Sequence, residues 1–237
     1  MLEAYLSGGF ERVPGACDAF NLKLMARFAQ LQADKGVKGD LAEIGVYHGR
    51  LFTFLGLLAA DDERAIAIDV FEELPNYDEG GGRTSIDIVR ANFVEHTGKA
   101  VDRSAAFIVA DSMMLRADQI RTSLKNSGIR LFSLDGAHSH FHTVHDLRLA
   151  EELTVPGGIV LVDDISNCGW PGVIEGVARY LLLSAERRLF PFMIGGNKLW
   201  LTTYDTHAEY LAYVVEDQTL LPPRRVTNFF GVDVVGF

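Results

Sequence analysis

The sequence predicts an α/β fold, a doubly wound sheet of five parallel strands followed by a C-terminal hairpin. Two patterns predict it. Short, continuously apolar runs alternate with longer amphipathic segments, as parallel strands covered on both faces by helices do. Further on, two more apolar runs flank Gly195-Gly196-Asn197, a short hairpin signal. The 237 residues, 48% hydrophobic and 23% charged, suit a single globular domain spanning 1–237 with a sizeable core. No repeat, low-complexity tract or linker divides it.

An amphipathic segment at 19–33 precedes the first strand and belongs to an expected N-terminal helical cap, 1–37. The parallel strands are expected at 40–45 (DLAEIG), 65–69 (AIAID), 106–110 (AFIVA), 131–135 (LFSLD) and 159–163 (IVLVD). Helices at 51–60, 85–96, 117–125 and 142–153 separate them, and one at 173–183 follows the fifth. The hairpin strands are 190–194 and 198–203, leaving 204–237 as a C-terminal extension.

A net charge of −10 gives the surface no general attraction for nucleic-acid phosphates or anionic lipid, so neither partner is expected. Cys17 and Cys168 lie far apart in no metal-like spacing, as free thiols in a reducing compartment do. The N-terminal stretch MLEAYLSGGFERV lacks a basic-then-apolar signal pattern, and no apolar run reaches the ~18 residues of a membrane span. A cytoplasmic location is expected.

Acidic residues recur at the ends of the expected strands: Glu43, Asp69, Asp111, Asp135, and the pair Asp163-Asp164. Ligands of open α/β sheets sit beyond those carboxyl ends, where strand order reverses. One such acid can simply cap a helix or satisfy a turn. A row of them repels itself unless hydroxyls, amines or a cation offset the charge. In the first turn, Glu43-Ile-Gly45-Val-Tyr-His-Gly49, the two glycines allow close backbone approach by a ligand. Asp69 follows at close to the ~20-residue offset at which a second-strand acid meets ribose hydroxyls. The turn lacks the G-x-G-x-x-G of nicotinamide folds and suits S-adenosylmethionine better, because that ligand has no pyrophosphate to cradle.

Six segments, GDLAEIGVYHGR, AIDVF, VADS, SLDGAH, VPGGIVLVDDIS and GWPGVIEGVARYL, occur in the order found in class I S-adenosylmethionine-dependent O-methyltransferases. The chain resembles that family, and within it the macrocin O-methyltransferase-like group that modifies sugars of natural products. The resemblance covers roughly residues 38–203. It implies a Rossmann-like, seven-stranded methyltransferase sheet, S-adenosylmethionine as cofactor, a small-molecule hydroxyl acceptor, and frequent homo-oligomers. By the same resemblance Glu43, Gly45 and Gly49 surround the methionine portion of the cofactor. Asp69 binds the ribose, Asp111 and Ser112 lie near the adenine, and Asp135, Asp163 and Asp164 hold a divalent metal. Residues 1–37 and 204–237 fall outside it, and substrate contacts often come from such flanks.

The metal expectation also follows from residue chemistry. Three carboxylates at the ends of strands 4 and 5 form a hard, all-oxygen set suited to Mg²⁺, Mn²⁺ or Ca²⁺. A hydroxyl beside such an ion ionises more easily. His138, three residues after Asp135, is the candidate general base. Catechol-type relatives typically carry lysine there, so the histidine points toward the sugar-modifying branch. His142 and His145 are expected to be surface or packing residues, while His140 is placed within reach of substrate.

Other classes fit less well. The H-S-H-F-H run resembles that of zinc hydrolases, but the Asp-His pair those enzymes need is absent. A non-catalytic nucleotide-binding protein would share the fold, yet it has no use for a base beside three carboxylates. Tyr77–Gly82 is either a cover over the cofactor or a plain surface loop. Trp170 is either an apolar wall against substrate or a buried packing residue. The sequence thus predicts an Mg²⁺- (or Mn²⁺-) dependent O-methyltransferase acting on a sugar or glycosylated metabolite.

Overall fold

A computed structural model of the chain describes residues 1–72, 84–184, 186–217 and 224–237, so the stretch around Tyr77 and Gly82 lies outside the described residues. Helix α1 (Leu2–Leu6) and a 3-10 turn at Gly9–Arg12 lead into α2 (Ala19–Asp34), which Asp18 caps by accepting from Asn21 N. The first half then alternates as expected: β1 (Asp40–Ile44), α3 (Arg50–Leu58), β2 (Ala65–Asp69), α4 (Ile86–Thr97), α5 (Val101–Ser104) and β3 (Ala105–Val109). A 3-10 turn at Ser112–Met114 precedes α6 (Ala117–Arg121), β4 (Ile129–Leu134), α7 (His140–Leu153), β5 (Thr154–Val162) and α8 (Pro171–Leu183). The chain ends with β6 (Leu189–Gly195), β7 (Lys198–Thr203), α9 (Tyr204–Glu216), β8 (Arg225–Phe229) and β9 (Val232–Gly236).

These strands form one sheet in the order β3-β2-β1-β4-β5-β7-β6-β9-β8. Strands β1 to β5 pair in parallel, and β7 turns antiparallel between β5 and β6. The expected five strands and hairpin are all present. The C-terminal extension adds α9 and the β8–β9 pair, with β9 running parallel to β6. Strand order reverses between β1 and β4, which opens a crevice beyond their carboxyl ends.

Alternation within the strands sends neighbouring side chains to opposite faces. Leu41, Leu131 and Ile159 join one core with Phe28 of α2, Phe52 of α3 and Tyr210 of α9. Ala42, Phe132 and Val160 join the other, with Leu147 of α7 and Val177 of α8. Each fully buried Leu, Val or Phe contributes roughly 1.5–3 kcal/mol, so a sheet covered on both faces is a rigid platform for the loops at its edge.

Charges at the opposite, amino-terminal edge are structural. Asp40 is fully buried and accepts from the backbone N–H groups of Arg64 (2.7 Å), Lys125 (2.6 Å) and Asn126 (3.0 Å). Buried Arg130 forms a bidentate pair with Glu63 at 2.6 and 2.7 Å. Among the described residues no helix is long and apolar enough to cross a membrane.

Candidate functional site

At the carboxyl edge the loops enclose a cavity of about 900 Å³, lined among others by Glu43, Gly45, Asp69, Asp111, Asp135, His138, Asp163 and Asp164. All the sequence-predicted acids therefore meet in one place. Gly49 alone is not on its wall. It caps α3 at φ 85°, where a Cβ would press on Val89.

The turn after β1 sets the floor. Gly45 has φ 82°, and a Cβ there would overlap the Asp135 carbonyl, so glycine lets the ends of β1 and β4 touch. Asp69 closes this turn. One carboxylate oxygen accepts from Val46 N (2.6 Å) and Tyr47 N (3.2 Å), the other from Phe71 N (2.8 Å). A carboxylate offers about four lone-pair sites, so this acid shapes the turn and has one site left for a ligand hydroxyl. Glu43 is only 3% exposed, and its Oε2 has no hydrogen-bond partner among the described residues. Burial, reinforced by Asp135 and then Asp69 and Asp163, raises its pKa well above the ordinary carboxylate range. An unpartnered buried acceptor facing a cavity suits a ligand that donates to it, as an ammonium does.

Asp111 caps the Ser112–Met114 turn through Met113 N at 2.9 Å, and its Oδ1 lies 3.4 Å from His142 Nε2. Ser112 is buried and hydrogen-bonded to Asp146 of α7. Asp146, 2% exposed, has an unpartnered Oδ1, and burial pushes its pKa up to about 7, against the pull of Ser112.

On the far wall His138 Nε2 sits 3.2 Å from Asp135 Oδ1 and 3.1 Å from Asp164 Oδ2. Its ring stacks on Trp170, centroids 4.6 Å apart and planes 18° from parallel, so Trp170 is part of the wall. Burial works against protonation of this imidazole, but Asp135, then Asp164 and Asp163, outweigh it and raise the pKa above the usual histidine range. Three non-glycine residues on the wall hold positive φ: Tyr47 (49°), His138 (56°) and Asp164 (59°). Each costs on the order of 1 kcal/mol or more, and such strain collects at functional sites.

The divalent-ion expectation can be tested on these contacts. Among the described residues Asp135, His138 and Asp164 bring one ligand atom each to within 4.8 Å of one another. The carboxylate oxygens of Asp135 and Asp164 suit Mg²⁺ or Mn²⁺, so these two residues fit such an ion, with the His138 imidazole beside it. Asp163 stands apart from this group. Its Oδ2 is ion-paired with Lys198 Nζ, and its Oδ1 accepts from Asp164 N at 2.9 Å. Burial, with Asp135 adding to it and Lys198 opposing, raises the pKa of Asp163 above the ordinary carboxylate value.

The other histidines separate. His145 Nε2 lies 3.1 Å from the Leu115 carbonyl, a packing contact as expected. His140 faces Glu175 of α8 at 3.6 Å rather than the cavity. His142 lines the cavity beside Asp111, a place the sequence reading did not give it. Helix α7 begins at His140, two residues earlier than expected, because Ser139 caps it by accepting from His142 N. Sequence reasoning also passed over Lys198, Arg50 and Cys17. Arg50 is the only Lys or Arg among the described lining residues, and it fastens the 13–17 segment to the rim by donating to Val13 O (2.7 Å) and Cys17 O (3.1 Å). The available signal was Lys198 itself, a charge opening an otherwise apolar strand.

The profile of a methyltransferase domain matches residues 42–165, from β1 to just past the Asp163-Asp164 pair. No curated protein matches the sequence. Among solved structures, the O-methyltransferase NovP is similar with a TM-score of 0.61 at 18% identity, over 78% of this chain and 80% of that one. The calicheamicin methyltransferase CalS11 gives 0.56 at 19%, over 77% and 78%. An O-methyltransferase from Bacillus cereus in complex with SAH gives 0.54 at 18%, over 84% and 88%. At these identities the likeness concerns the fold.

Proposed function

The chain belongs to the methyltransferase domain family, and from that premise we propose that it transfers a methyl group from S-adenosylmethionine to a hydroxyl of a sugar or glycosylated small molecule. The observation that carries this reading is His138 Nε2 held between Asp135 and Asp164 on the wall of a cavity with unpartnered Glu43 at its floor. CalS11 is described as a TDP-rhamnose 3'-O-methyltransferase, which supports a sugar acceptor on this fold.

Glu43, Gly45, Gly49, Asp69, Asp111 and Ser112 would hold the cofactor, which supplies an electrophilic sulfonium methyl. Asp135 and Asp164 would hold Mg²⁺ or Mn²⁺, which supplies positive charge that eases ionisation of a nearby hydroxyl. Asp163, expected as a third ligand, supports the pair from behind. With Asp135 and Asp164 engaged by the ion, His138 Nε2 would be released from their hydrogen bonds, and it receives the hydroxyl proton as the acceptor oxygen takes the methyl group. Trp170 keeps the imidazole plane fixed through this step and closes that side against water. Glu43 meets the cofactor's ammonium, and Asp69 spends its remaining lone pair on a ribose hydroxyl.

The test is methyl transfer itself. Methyl-labelled S-adenosylmethionine, Mg²⁺ and a panel of nucleotide sugars, glycosides and catechols are incubated with the enzyme. Label should pass to a sugar hydroxyl. Label reaching only catechols would move the acceptor to the catechol branch, and label reaching nitrogen would end the O-methylation reading.

A further inference from the structure

Lys198 opens β7, a strand buried along its whole length, and is itself 2% exposed. A lysine is buried this deeply only against a partner. The register supplies one. Val162 of β5 lies opposite Leu199 of β7 in the antiparallel pair, so the next position sets Asp163 opposite Lys198. The two close into an ion pair at the carboxyl edge of the sheet.

The neighbouring acid goes the other way. Asp164 turns through φ 59°, which aims its Oδ2 at His138 Nε2, while Oδ1 accepts from Asn197 Nδ2 (2.8 Å) and Asn167 Nδ2 (2.9 Å). Two consecutive carboxylates are thus fixed in different directions. One faces the open site and one faces an internal ammonium.

We propose that Lys198 is a positioning residue, a built-in monovalent cation that ties Asp163 to the sheet and keeps it out of the divalent-ion set, leaving Asp135 and Asp164 to hold the ion beside His138. The inference rests on the reading above for the presence of that ion. It gives the acidic cluster a permanent counter-charge, so the carboxylates can converge before any ligand arrives.

The test is Mn²⁺ titration followed by the EPR signal of the free ion, without cofactor or acceptor. Wild type is compared with Lys198→Met, the double variant Lys198→Met/Asp163→Asn, and Asp164→Asn. Freed of Lys198, Asp163 should join the ion, and Lys198→Met should bind Mn²⁺ about tenfold more tightly or better. The double variant loses an acid and a base together and should return to within about threefold of wild type, while Asp164→Asn should lose about tenfold or more. Unchanged or weaker binding in Lys198→Met would overturn the proposal. So would a tenfold loss in the double variant, because Asp163 would then already be a ligand, and so would a wild type that binds no Mn²⁺. If Lys198→Met is too unstable to titrate, the double variant decides, since it leaves no charge buried alone. Thermal stabilisation by S-adenosylhomocysteine, measured on the same samples, separates the two readings. Its loss in wild type counts against the methyltransferase function, and its retention with aberrant Mn²⁺ behaviour counts against Lys198 alone.

Discussion

Asp146→Asn should change how stability depends on pH. Asp146 is 2% exposed beneath Ser112, with one oxygen unpartnered, and burial holds its carboxyl at about 7 against 3.8 for the free side chain. A carboxyl whose pKa is raised on folding contributes stability that is complete below the unfolded value and lost as pH rises through the folded one. The window therefore runs from about pH 4 to about pH 8. Between about pH 5 and pH 8 the folded protein must release a proton that the unfolded chain has already lost, at a cost of about 2–3 kcal/mol. Asparagine has no proton to lose. Urea unfolding should show the stability of the variant relative to wild type rising by about 2–3 kcal/mol between pH 5 and pH 8. Glu43 and Asp163 tilt the curve in the same direction, so the comparison between the two proteins is the informative quantity. Parallel curves for wild type and Asp146→Asn would refute the reasoning and mean that Asp146 titrates as an ordinary exposed acid.

Three further outcomes are expected. His138→Ala should lower kcat by ~10²–10⁴, the usual loss for a general base, and remove the limb on which wild-type kcat rises with pH; His145→Ala should stay within a few fold. Gly45→Ala should lower unfolding stability by several kcal/mol, read from urea midpoints, since it combines a left-handed backbone with overlap on the Asp135 carbonyl. His142→Ala should weaken S-adenosylhomocysteine binding several fold by calorimetry, because it frees Asp111 to move, and leave Mn²⁺ binding unchanged.

The strands β1 to β5 and the β6–β7 hairpin were legible because each buries nearly continuous apolar surface. Strand β8 was not, since Arg225 to Asn228 are all exposed and carry no pattern for burial to impose. The carboxylates of the site were visible because each stands at a strand end, where a charge in an apolar run breaks the pattern. Lys198 was harder to assign. Its partner is 35 residues away in sequence and is defined only once β7 inserts beside β5. Trp170 could be given a position but no side, because its loop settles only when α8 packs against the backbone of His138 and His140. Asp69 was legible as a strand-end acid, but its load was not, since only the folded turn reveals the three backbone donors it satisfies.

The most direct measurement on the central claim is thermal unfolding with S-adenosylhomocysteine, NAD or ATP, each with Mg²⁺ or with EDTA. A ligand that binds the folded state stabilises it by RT ln(1 + [L]/Kd), about 2.7 kcal/mol at a hundredfold excess over Kd. S-adenosylhomocysteine should raise Tm with or without the metal, because Glu43, Asp69 and Asp111, proposed to hold the cofactor, are separate from the residues proposed to hold the ion, and NAD and ATP should leave it unchanged. A shift with NAD and none with S-adenosylhomocysteine would contradict the account.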